Sequence, residues 1–181
     1  MRNTLKLSAC LTLALLGVAS CIAVAQESPK TSTRPAPAVY QPDRVEASLL
    51  SHVLRQWLPS GDDAIGQTVF VSLGPDAGDP SAVFLGRFDD LNLDLRPGSQ
   101  ARRPKVGERE SKNRFRGVED PETGKRVYIH HVSVKDWINE TKARVSFTRY
   151  GGPLASDGLT AIYEFRDDQW QLVEIESSWF S

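Results

Sequence analysis

Apolar and polar residues alternate with a period of two through most of the last third of the chain. From Lys142 to Tyr150, Ala143, Val145 and Phe147 fall on one side, and Lys142, Arg144, Ser146 and Thr148 on the other. Such alternation is the mark of a strand with one dry and one wet face. Leu159 to Arg166 repeats it, with Leu159, Ala161, Tyr163 and Phe165 set against Thr160, Glu164 and Arg166; Ile162 interrupts the polar side. In Trp170 to Trp179, Val173, Ile175 and Trp179 alternate with Glu174 and Glu176. Turn residues separate the runs: Gly151-Gly152-Pro153, Ser156-Asp157-Gly158 and Asp167-Asp168-Gln169. Short loops join antiparallel neighbours. The pattern predicts a three-strand meander, with Val127 to Ile138 as a fourth strand before it.

Upstream the period changes. Val45, Leu49, Val53 and Trp57 recur every four residues, flanked by Leu50, Leu54 and Leu58. Asp43 and Glu46 have capping-box spacing, and Pro59-Ser60-Gly61 stops the run. This predicts an amphipathic helix of about four turns whose apolar stripe needs a partner. Thr68 to Leu73 is a short β-rich run. Asp79-Pro80-Ser81 opens a short helix with Val83, Phe84, Leu85 and Phe88 on one face. Asn113 to Val118 reads as one arm of a hairpin, turned by residues Glu119 to Gly124, with Val127 onward as the other arm. The expected architecture is α+β, an N-terminal amphipathic helix packed on a curved antiparallel sheet. No internal repeat is present.

The first 25 residues change the address rather than the fold. Arg2 and Lys6, the apolar Leu7 to Val18, and Ala23-Val24-Ala25 before Gln26 have the order of a secretory signal peptide. The stretch Val18-Ala19-Ser20-Cys21 resembles the lipobox of bacterial lipoproteins, which would make Cys21 a lipidated N-terminus. Cleavage at Ala25 gives a soluble mature protein instead, and the apolar Ile22-Ala23-Val24 suits that alternative better. The expectation is export, to the periplasm or the medium, with membrane attachment only through Cys21. Residues 26–42 are rich in Pro, Ser, Thr and Ala and read as a disordered linker. Residues 43–181 form a single domain.

Composition then excludes several chemistries. Cys10 and Cys21 both precede Gln26, so the mature domain has neither disulfide, thiol nucleophile nor cysteine-bound metal. Removing Arg2 and Lys6 from 22 basic residues leaves the 23 acids in excess by three. That balance calls for no polyanionic partner, and nucleic acid is not expected. The segment 96–126 holds ten basic residues and five acids. It reads as a solvated loop, with anionic lipid headgroups or envelope polymers as the alternative. Gly-rich phosphate loops, the Gly-x-Ser-x-Gly elbow, zinc signatures and nucleotide fingerprints are absent. No cofactor and no metal is expected.

The candidate chemistry is scattered. His130 and His131 are neighbours on a strand and so point to opposite faces. An inward one near Asp136 could act as a general base, with Tyr128 or Tyr150 beside it; structural hydrogen bonding is the plainer reading. His52 sits on the boundary of the helix. Asp62, Asp63, Asp76, Asp79, Asp89 and Asp90 lack calcium-loop spacing and read as caps and turn residues. Asn139-Glu140-Thr141 matches a glycosylation sequon and reads more simply as a turn. Trp57, Phe147 and Tyr163 are the expected lining of a helix–sheet cleft.

Three stretches carry a resemblance. They are Asp79-Pro80-Ser81 with Phe84-Leu85-Gly86-Arg87-Phe88, Tyr150-Gly151-Gly152-Pro153-Leu154-Ala155-Ser156, and Trp170-Gln171-Leu172-Val173 with Trp179-Phe180-Ser181. Over roughly residues 44 to 181 the chain resembles a group of uncharacterised exported bacterial proteins. Its order of elements is similar to the cystatin-like and NTF2-like folds. The resemblance implies a cone that holds a small ligand, and face-to-face pairing into a homodimer. Three functions follow as expectations. The first is a non-enzymatic binding domain for a small ligand or an envelope protein. The second is an NTF2-like isomerase or hydrolase using His130 or His131 with Asp136. The third is an interaction protein that uses its sheet face or basic hairpin.

Overall fold

The computed structural model describes residues 38–61, 65–103 and 117–181, all within the compact unit Pro35–Ser181. The expected signal peptide, the lipidation candidate Cys21, most of the expected linker, Asp62, Asp63 and residues 113–116 of the expected hairpin arm lie outside the described residues. The element order is β1 (Val39–Tyr40), α1 (Arg44–Trp57), β2 (Thr68–Leu73), β3 (Asp79–Pro80), α2 (Ala82–Leu85), β4 (Asp94–Pro97), β5 (Ile129–Asn139), β6 (Lys142–Tyr150), β7 (Ser156–Arg166) and β8 (Gln169–Phe180). Short 3₁₀ turns follow α2 and β4. Among the described residues no helix is long and apolar enough to cross a membrane.

The expected α+β design, an N-terminal amphipathic helix on a curved antiparallel sheet of cystatin-like or NTF2-like form, is corrected. Among the described residues the protein is mostly sheet, with two short α-helices. Its six-stranded sheet is mixed and runs β4-β2-β5-β6-β7-β8. β2 lies parallel to both β4 and β5, and the remaining pairs are antiparallel. The reason lies in β2. Its sequence, Thr-Val-Phe-Val-Ser-Leu, is buried on both faces beyond Thr68. Val69, Val71 and Leu73 enter the main core, while Phe70 joins Ala101, Val118 and Ile129 in a second cluster on the other side. A continuous apolar run of this kind belongs inside a sheet, between parallel neighbours whose long connections cover its faces.

The helix begins where its cap chemistry places it. Asp43 accepts a hydrogen bond from the Glu46 backbone N–H at 2.8 Å, which satisfies one orphan donor of the first turn. Its buried residues are Ala47, Leu49, Leu50, Ser51, Val53 and Leu54. The stripe is therefore rotated from the four-residue repeat, and Val45 is exposed. Leu49, Leu50, Val53 and Leu54 share one core with Val132, Val145, Phe147, Ala161 and Tyr163.

In β6 and β7 the period of two holds with shifted ends, whereas β8 buries Trp170 and leaves Val173, Ile175 and Trp179, the expected dry side, exposed. β6 buries Ala143, Val145 and Phe147. β7 begins at Ser156, so Ser156-Asp157-Gly158 is strand rather than turn. Ile162, the residue that broke the polar side, is buried on the opposite face. β8 is an edge strand with two register shifts against β7, and such irregularities bend and blunt an edge. Gly74 ends β2 at φ +73°, and a Cβ there would collide with the Tyr40 ring.

Candidate functional site

One rung of the sheet is left without helical cover. On the core-facing side of β5 and β6, Val132 pairs with Phe147 and, one rung further on, His130 pairs with Arg149. α1 ends at Trp57, whose indole stacks on Phe147 with centroids 5.5 Å apart and planes 22° apart. Pro59 follows directly and cannot continue the helix. A groove of about 720 Å³ therefore opens over the His130–Arg149 rung. Its lining includes Trp57, Ile65, Lys125, Arg126, Tyr128 and His130.

His130 forms the floor. It is 5% exposed, meets Phe147 edge to face at 5.8 Å, and its Nδ1 has no hydrogen-bond partner among the described residues. Burial, and then the positive charge of Arg149, push its pKa down to about 4, with Asp157 opposing. The imidazole is therefore neutral near pH 7, one nitrogen a donor and the other an acceptor. Arg149 donates from Nε to Asp157 Oδ1 at 2.9 Å, and its guanidinium lies 5.0 Å from the centre of the Tyr128 ring. Asp120, also on the wall, is 1% exposed. It accepts from Thr123 Oγ1 at 2.7 Å and from the Glu122 backbone N–H at 2.9 Å, and Arg96 lies 3.9 Å away. These partners hold its carboxyl below the usual range. It organises the turn before β5.

The two histidines part company as a strand requires. His131 Nε2 lies 2.7 Å from the Gly74 carbonyl oxygen, and this structural bond ties β5 to the end of β2. Asp136 is not brought to either one. It lies six residues along β5 from His130, about 20 Å of strand, and both its oxygens take Arg144 Nη1 at 2.8 Å. Arg144 also donates from Nε to Glu176 at 2.7 Å.

Of the three expected cleft residues, only Trp57 lines the groove. Phe147 and Tyr163 are core, and Tyr163 gives its hydroxyl proton to Gln56 Oε1 at 2.9 Å. Tyr128 is on the wall, whereas Tyr150 packs against the second cluster. His52 lies edge-on to Tyr163, and burial lowers its pKa. Asp79 binds Ser99, and Asp90 holds Arg55. Among the described residues no group of three or more His, Cys, Asp or Glu side chains could hold a metal ion.

Arg149 and Lys125 are groove residues that the sequence reading passed over. Arg149 did carry a signal: by period two it falls on the dry face of β6, in line with Ala143, Val145 and Phe147. A charge in that register must sit at the mouth of the core or be paired. Comparison with family models, curated proteins and solved structures finds no match for this chain.

Proposed function

We propose that the chain is an exported, non-enzymatic binding domain that takes a small ligand in the groove over His130. The observation that carries this reading is the groove itself, a concavity of about 720 Å³ whose lining includes His130, a nearly buried imidazole with Nδ1 unpartnered among the described residues. A buried polar atom without a partner costs about 1–3 kcal/mol. A leucine of similar size would avoid that cost. The groove volume also falls within the range of small-molecule sites. An acid–base enzyme built on these histidines has little support, since Asp136 is far away and clamped by Arg144. Export rests on the order of charge, apolar run and small residues in the first 25 positions.

The test is a chemically mixed panel of small molecules, titrated against the mature protein and followed by calorimetry. Gln67→Trp is the control, because Gln67 is exposed on the groove wall and an indole there would fill it. Binding that Gln67→Trp abolishes supports the reading. Binding indifferent to that change, or no binding anywhere in the panel, overturns it.

A further inference from the structure

The charge and shape of the groove narrow the class of ligand, on the premise that the groove is a binding site. Its lining includes Arg149 and Lys125. The carboxylate among the lining residues, Asp120, is buried and spent on Thr123, Glu122 and Arg96. The Arg149 charge is met at Nε by Asp157, which leaves its Nη edge and the Lys125 ammonium without an ion pair among the described residues. Arg149 is also held in place before any ligand arrives. Its Nε is committed to Asp157 and its plane lies near Tyr128, while among the described residues its two Nη atoms make no hydrogen bond. A guanidinium fixed through Nε offers its Nη edge as a planar fork, which matches a carboxylate or sulfonate and suits a point-like cation poorly.

The apolar part of the site is equally specific. Trp57, Tyr128 and Ile65 are 39%, 42% and 68% exposed, high for such side chains lining one concavity. Trp57 is kept flat by its stack on Phe147. Two aromatic walls set beside a fixed fork suit a ligand with a flat apolar body and an anionic head. We infer that the groove takes a small organic anion of this kind, its head on the Arg149 fork, its body against Trp57 and Tyr128, and its charge further favoured by Lys125 in the lining.

The probes are 2-naphthoate and 2-naphthamide, which share a body and differ in charge, titrated by calorimetry into the mature protein. Naphthoate should bind at least about tenfold more tightly than the amide at low salt, with the gap shrinking as salt rises. Arg149→Gln should close most of that gap by weakening naphthoate far more than the amide, whereas Trp57→Ala should weaken both. Lys125→Gln, at an exposed position, should narrow the gap without risk to folding, and an unchanged thermal midpoint checks the other variants. Equal affinity for the two probes, or a preference that survives both Arg149→Gln and Lys125→Gln, overturns the inference. If neither probe binds but a neutral compound does so in a manner sensitive to Gln67→Trp, the anion class fails and the binding reading stands. If nothing binds, both fail.

Discussion

At the scale of single residues, His130 has the clearest consequence. Its folded-state pKa, about 4, lies below the ordinary value of 6.5. The unfolded chain therefore binds more protons between those two values, and stability is lost as pH falls from about 6.5 towards 4. The full effect is about 3 kcal/mol. Urea unfolding between pH 7 and pH 4 should show this acid limb, and His130→Leu should flatten it. At pH 7 the same variant should be as stable as the parent or more so, because it removes a buried nitrogen without a partner. A loss above about 2 kcal/mol at pH 7 would mean that Nδ1 is satisfied after all. The alternation along β5 already required His130 and His131 to point apart. Which one turned inward depended on the register with β2 and β6, and a strand pattern read alone does not carry that information.

Among the elements, α1 was legible because its signals are local. Asp43, Glu46 and Pro59 mark its ends, and capping is a matter of a few neighbouring atoms. Asp43→Ala should cost about 1 kcal/mol, read as a shift of the urea midpoint without a change in slope. Leu50, fully buried, lay beside the four-residue repeat rather than in it. Leu50→Ala should cost about 2–5 kcal/mol, while Val45→Ala, at an exposed position, should cost well under 1 kcal/mol. Reversed costs at these two sites would mean that the helix faces the other way. β2 was found as a strand, but its place between two parallel neighbours was not seen. The continuous run Val69-Phe70-Val71 carried a hint of two-sided burial. Pairing β2 with β4 and β5 needs partners separated from it by long connections, and no local pattern names them.

For the whole molecule, stability has to come from packing. Residues 38–181 contain no cysteine, so the thermal midpoint of the mature domain should be the same with and without reductant; a drop under reduction would point to a covalent link outside the fold. The sequence by itself determined the four antiparallel strands, the capped helix and the lack of cysteine in residues 38–181, because periodicity, caps and composition are properties of neighbours along the chain. Only the tertiary structure decided that the sheet is mixed, that Asp136 is bound to Arg144 far from His130, and that the core face runs one rung past Trp57. The groove exists because a helix of 14 residues ends before the strands beside it do. It is lined by segments more than 50 residues apart, from Trp57 to Tyr128 and Arg149. Their meeting follows from strand register and the lengths of packed elements, which become fixed only when the chain has folded.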